Sequence, residues 1–494
     1  MTRAAADASP IEAQSGLPAW QRADLPVPPS PRGLGWIAAV GPGVIVLGIS
    51  IGSGEFLLGP AVFVRHGLTL LWVTTVAVLL QTVFNTELMR YTLATGEPVL
   101  TGFMRTRPSS TFWAWFYSVL YFLQTGWPAW AANAAGAIFF LSARRVAAPA
   151  DATVLYWIGA STFLVCVGIL LVGRRIERTL EILNWILIAW ILGSFLILAL
   201  IFVPLPIWAR AGAGLAGFDP ETRAFHLLPA GLDPVLLASL VAYSGCGGVT
   251  NLMLTNWARD RGYGMGERVG YIPAAVGGAK VHLAHTGFMF AADAGNLSRW
   301  RGWWRIVRAD QWGVFFAGGV LGMVLPALLY VAFLPAGSEI RGFGIAAALA
   351  SAVGTQAGPI LGGSIALLGS WLLFKTQLDN IEGMVRALTD VLWTGSRRLR
   401  DWHGDVRRVY YTVLAAVVVW GLVALGLAQP VALLQIGANV ASVAFIVTSL
   451  HVLYINTRLL PPEIRPPLWR RLALVAMAMF YSYFSWLSIS SLVR

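Results

Sequence analysis

The sequence predicts an all-α polytopic membrane protein of about eleven transmembrane helices, built as two inverted five-helix repeats whose first helices, spans one and six, are broken. Three observations predict it. The 494 residues are 57% hydrophobic and only 12% charged, with a mean hydropathy of +0.69, a profile foreign to soluble domains. Lys and Arg are distributed unevenly between alternate loops. Two glycine-rich stretches interrupt apolar segments at matching places in the two halves of the chain.

Apolar windows of about 20 residues place the spans at 35–62, 68–93, 111–141, 153–172, 180–204, 232–257, 311–334, 357–386, 408–428, 430–455 and 468–490. Residues 1–32 are polar and Pro-rich, with nothing apolar long enough for a cleavable signal. They read as a disordered cytoplasmic tail, and residues 33–494 as one transmembrane domain. With the N-terminus inside, the tail and the loops after even-numbered spans hold 27 of the 35 Lys and Arg. That is the positive-inside pattern. It implies a multi-pass protein of the cell membrane, with a cytoplasmic N-terminus and an external C-terminus. The net charge of +12 is scattered through short loops, so it speaks for topology and not for nucleic-acid binding. The 22 Trp gather with Tyr near span ends, as interfacial belts do.

The longest connection, about 258–310, interleaves Arg299, Arg301, Arg305 and Arg308 with Trp300, Trp303 and Trp304. An interfacial amphipathic helix is expected there, with a regulatory or lipid-contacting segment as the alternative. His282 and His285 lack a third ligand and are read as structural. Cys166 and Cys246 lie in separate apolar segments and imply no disulfide.

Chemistry concentrates at the interruptions. In span one, Gly52-Ser53-Gly54-Glu55 puts a carboxylate at membrane depth, which costs about 2.5–3.5 kcal/mol on insertion scales. In span six, Ser244-Gly245-Cys246-Gly247-Gly248 leads into Val249-Thr250-Asn251. Interrupted segments at corresponding positions point to a transporter built from inverted repeats. Unwound backbone is tolerated there only against protein or a watery cavity. Glu55, Ser53, Thr250, Asn251 and backbone oxygens near Ile51, Gly52 and Ser244 therefore form a candidate ion cage, with Glu55 and Asn251 as its metal ligands. Gln435 and Asn439 in span ten either add amide oxygens or hydrogen-bond between helices. Lys375, Asp379 and Glu382 share one face of span eight toward its cytoplasmic end. They read either as a proton or ion path or as an intrahelical pair. Glu87 in span two is a structural or gating partner.

Gly41-Pro42-Gly43, followed nine residues later by Ser53-Gly54-Glu55-Phe56, resembles the opening of the Nramp (natural resistance-associated macrophage protein) family of divalent-metal transporters. Asn251-Leu252 and Ile381-Glu382-Gly383 are further matches. The resemblance implies a LeuT-like fold, a divalent metal as transported substrate, no cofactor, and ion symport. This chain is a divergent relative. The family's metal-binding aspartate falls on Gly52 and its asparagine on Glu55, while its methionine, proline and histidine fall on Gly248, Val249 and Thr250. Loss of the thioether shifts the expectation toward hard cations, Mg²⁺ or Mn²⁺, which suit oxygen ligands. The alternative is a cation-coupled carrier of amino acids or other small organic solutes, with Glu55 as proton carrier. An enzyme is not expected: the sequence has no His-Glu-x-x-His, no Gly-x-Ser-x-Gly and no phosphate loop.

Overall fold

The computed structural model describes residues 16–171, 176–229, 231–272, 284, 286–338, 345–396, 398–399, 405–427 and 429–493. Long helices dominate, because a bilayer leaves every backbone amide and carbonyl to be satisfied within the chain. Eight of the eleven spans are long apolar helical segments: Leu68–Thr95, Pro149–Leu170, Leu180–Phe202, Ala294–Phe333, Pro359–Gly395, Val406–Ala424, Pro430–Arg458 and Leu468–Ser491, of which Ala294–Phe333 passes through a π-helical stretch of its own, Ala309–Phe316. They are spans two, four, five and seven to eleven. Where an interfacial helix was expected, a helix Ala294–Arg308, which buries Trp300 and Trp303, runs directly into span seven. His282 and His285 lie outside the described residues.

The other three spans are interrupted. Span one runs Pro42–Ser50, a π-helical stretch Ile51–Leu58, and Gly59–His66. Span six consists of Pro234–Tyr243 and Val249–Asp260. Span three, expected to be one helix over 111–141, is two, Ser110–Thr125 and Ala129–Ala143. The cause is Pro128, which lacks an amide hydrogen and cannot continue the helix before it. Spans eight and nine satisfy the groups this frees. Thr125 O accepts from Asn380 Nδ2 (3.3 Å), Ala131 N donates to Gln377 Oε1 (3.0 Å), and Gly126 O accepts from Trp420 Nε1 (2.9 Å).

Burial separates an inner from an outer set. The apolar windows of spans two and seven are 67% and 61% buried, against 28% for spans five and nine. Leu200, Ile201 and Val419 on the outer spans are exposed, as lipid-facing side chains must be. Span eight, 37 residues long, packs against spans one, three, four and nine. It is the inner strut on which the interrupted spans lean.

Residues 16–32, expected within a disordered tail, are instead ordered against the bundle. Gln21–Arg22 pairs with Phe288–Met289 as a short parallel ladder. Leu25 is fully buried, its amide donating to Asn296 Oδ1 (3.0 Å) while its carbonyl accepts from Arg299 (2.8 Å). Arg105 donates to Pro18 O (2.9 Å). A run of prolines reads as disorder from composition alone. Here its carbonyls find donors on the 294–308 helix and on the loop after span two.

Candidate functional site

Span six opens fully between Tyr243 and Val249. Gly245, Gly247 and Gly248 take φ of 93°, 94° and 57°, a region that favours glycine. Two glutamines from neighbouring spans replace the helical partners that this turn loses. Gln81 of span two donates to Ser244 O (2.6 Å) and accepts from Cys246 N (3.0 Å). Gln124 of span three donates to Gly247 O (2.7 Å) and accepts from Val249 N (2.9 Å). A Cβ at Gly248 would overlap both Gln124 and Ala441. The position aligned with the family's methionine therefore has no room for one.

Span one is interrupted differently. Its α-helix widens into π-helix from Ile51 to Leu58, with Gly59 N bonding to Gly54 O, so the expected unwound stretch keeps a helical ladder. Single π turns recur at functional sites because the extra residue displaces side chains from the α-helical register. The side chains of Ser53 and Glu55 lie outside the described residues. Their backbone positions fall within the π stretch, beside residues that touch the second interruption directly. A Cβ at Gly54 would overlap the carbonyl of Tyr243, and one at Gly52 would overlap Thr376 Oγ1 of span eight. The two interruptions are therefore in backbone contact.

Beside that contact lies a buried set of amides and hydroxyls. Asn251 Nδ2 donates to Asn85 Oδ1 (2.8 Å) and, at 3.3 Å, to Gln81 Oε1. Its own Oδ1 is buried with no hydrogen-bond partner among the described residues. Thr250 gives its hydroxyl proton to the carbonyls of Cys246 (2.7 Å) and Gly247, which leaves its oxygen lone pairs available. Gln435 and Asn439 sit on the flank of this group. Asn439 is tied between helices, donating to Ser239 Oγ (2.9 Å) and accepting from Ser488 Oγ (2.8 Å). Gln435 lends it a backbone oxygen at 2.9 Å. Among the described residues no three His, Cys, Asp or Glu side chains gather as a metal cluster.

The three charged residues of span eight do not act as one group. Lys375 and Asp379 are fully buried 3.3 Å apart, and Asn184 of span five donates to Asp379 at 3.1 Å. A Cβ on Gly48 would overlap Lys375 Nζ, so the pair lies against span one just before its π stretch. This is deeper than the cytoplasmic end expected from the sequence, because span eight extends to Gly395. Glu382 belongs to a separate network, accepting from Arg386 and from Trp257 Nε1 (2.7 Å). Arg386 also pairs with Asp260. Arg259 then links Asp260 (2.6 Å) to Asp390 (2.5 Å).

Glu87 anchors a second network at the same end, accepting from Arg90 (2.7 Å) and Arg470 (2.9 Å). The third device there involves Asp310, a residue the sequence reading missed. Its carboxylate accepts from Gly41 N (3.0 Å) and Gly43 N (2.9 Å), capping the inner start of span one. Carboxylates favour helix N-termini, which gives the Gly41-Pro42-Gly43 motif a physical meaning. Gln81 and Gln124 were also missed. Lone glutamines inside apolar spans were the available signal.

No family model and no curated protein matches the sequence. Solved structures do match the fold. A manganese transporter from Eremococcus coleocola, crystallised as a single-residue variant, has a TM-score of 0.64 at 16% identity, covering 98% of this chain and 91% of the other. The same transporter in complex with an aromatic bis-isothiourea compound gives 0.57 at 16% identity, with 94% and 89% coverage. The proteins sharing this architecture are transporters and not enzymes. The chain thus has the polytopic transporter fold that its resemblance to the Nramp family implied, along nearly its whole length.

Proposed function

We propose that this protein is a secondary transporter of a hard divalent cation, Mg²⁺ or Mn²⁺, moved across the cytoplasmic membrane by alternating access. The observation that carries this reading is the backbone contact between the two interruptions, with Asn251 Oδ1, which has no partner among the described residues, buried beside it. An acceptor left bare at membrane depth costs about 1–3 kcal/mol, and a bound cation would remove that penalty. Glu55 supplies the anionic ligand, supported by Asn251, Ser53, Thr250 and backbone oxygens of Ile51, Gly52 and Ser244. Mg²⁺ keeps several waters and takes only one or two carboxylates, which suits a sparse site. The manganese transporter that shares the fold supports the same substrate class.

The glycine at position 248 excludes a thioether, so selectivity leans away from soft metals. The alternative solute, an amino acid, would need free amides at the second interruption for its carboxylate. Those of Cys246 and Val249 are already bonded to Gln81 and Gln124. The buried Lys375–Asp379 pair against Gly48 is the candidate for proton coupling, while the Glu87 and Glu382 networks serve as gates.

Uptake of Mg²⁺ and Mn²⁺ into proteoliposomes tests the reading. Glu55→Gln should abolish uptake, and Asn251→Ala should raise the half-saturating concentration about tenfold, the equivalent of one modest ligand. Unchanged uptake of every cation in Glu55→Gln would reject it. So would inhibition by amino acids combined with indifference to divalent cations.

A further inference from the structure

We infer that the groove between the N-terminal segment and the interfacial helix binds the phosphate-bearing headgroup of an anionic phospholipid. The groove is a cavity of about 440 Å³, lined by Arg32, Trp36, Arg301 and Arg305 together with Ser30 and Ser298. No acidic side chain lines it. Several arginines elsewhere in the structure are consumed by ion pairs. Arg90, Arg105, Arg259, Arg386 and Arg470 all pair with buried carboxylates. Arg32, Arg301 and Arg305 are exposed and form no ion pair with a described residue. Three unpaired guanidiniums around one cavity repel each other unless an anion sits among them, and each presents the fork that phosphate oxygens accept.

Position selects a lipid over a free anion. Leu34 and Ile37, next to Arg32 and Trp36, are 84% and 50% exposed, at the point where the chain enters the bilayer as span one. A headgroup in the groove would lay its acyl chains against these two side chains. Trp36 marks the interfacial level, and basic pockets at this depth suit anionic headgroups. The walls come from the two segments that control the inner start of span one. One wall is the helix that continues through Arg308 into Asp310, whose carboxylate caps Gly41 and Gly43. The other is the segment that leads directly into those glycines. A phosphodiester bridging Arg32 to Arg301 and Arg305 would clamp them together.

Binding is measured on the full-length protein in neutral detergent by native mass spectrometry, with phosphatidylglycerol, phosphatidylcholine and inorganic phosphate as separate probes. This readout needs no transport, so its failure and the failure of the cation reading are distinguishable. Phosphatidylglycerol should bind at least tenfold tighter than phosphatidylcholine. The Arg32→Gln/Arg301→Gln/Arg305→Gln variant should lose about fivefold per arginine, on the order of a hundredfold in all. The corresponding triple lysine variant should keep most of the preference, which separates lost charge from lost fold. Equal binding of the two lipids, or an unchanged preference in the glutamine variant, overturns the inference. Inorganic phosphate competing as well as phosphatidylglycerol would assign the groove to a free anion and overturn the lipid.

Discussion

The middle of the bundle and its arginine-rich end are both polar and both buried, yet they are built from different groups. At the end, carboxylates and guanidiniums pair with one another: Glu382, Arg386, Asp260, Arg259 and Asp390 form one chain of pairs, and Glu87, Arg90 and Arg470 another. In the middle, amides and hydroxyls surround the Lys375–Asp379 pair, and acceptors such as Asn251 Oδ1 and Asn380 Oδ1 lack partners among the described residues. Buried ion pairs hold one arrangement firmly, since losing either partner strands a buried charge. Amides with spare acceptors can take and release a guest without stranding a charge of their own. The difference teaches which region locks and which one binds.

Breaking the lock should give the largest effect. Arg386→Met would leave the buried Glu382 without its cationic partner and Asp260 with Arg259 alone, and should destabilise the protein by about 3–5 kcal/mol, read as a lowered unfolding midpoint in detergent. A smaller loss than that of a conservative core substitution would mean these charges are hydrated, and the contrast between the two regions would fail.

The middle should respond differently. Gln81→Leu removes the partner of Ser244 O and Cys246 N, a loss of about 1–3 kcal/mol for each group that water cannot reach. Transport should suffer more than stability, because the turn between Tyr243 and Val249 loses its support. Equal loss of both would make Gln81 merely structural. Flux assays run beside thermal unfolding separate the two outcomes.

The smallest and most pH-sensitive effect belongs to Glu97, which ties the N-terminal segment to the arginine-rich end. It pairs with Arg105 at 2.5 Å and accepts from Tyr91 Oη (2.6 Å) and Gly287 N (2.8 Å). Burial pushes its carboxyl up, but the Arg105 charge and these hydrogen bonds outweigh burial and hold it below the ordinary glutamate value. A depressed carboxyl stabilises the fold above its unfolded pKa, and that contribution vanishes as pH falls through the folded value. Glu97→Gln should therefore cost about 2 kcal/mol at neutral pH and progressively less in acid. A gap that stays constant down to the lowest accessible pH would show that Glu97 acts through packing alone.

The membrane architecture was written in composition and periodicity. Apolar windows located the spans and glycine runs marked spans one and six, because each of these rests on local chemistry that needs no partner. Local sequence also carried the Gly41-Pro42-Gly43 motif, although only the fold showed it to be the cap site of Asp310, 267 residues on from Gly43. The third interruption at Pro128 was visible as a proline and overlooked, since its rescue by Gln377 and Asn380 comes from a distant helix. Tertiary structure alone decided that the first interruption is a π turn, that Lys375 and Asp379 stand apart from Glu382, and that residues 16–32 are ordered. Each of these depends on which donors and acceptors meet across helices, and a chain read in one dimension cannot place them.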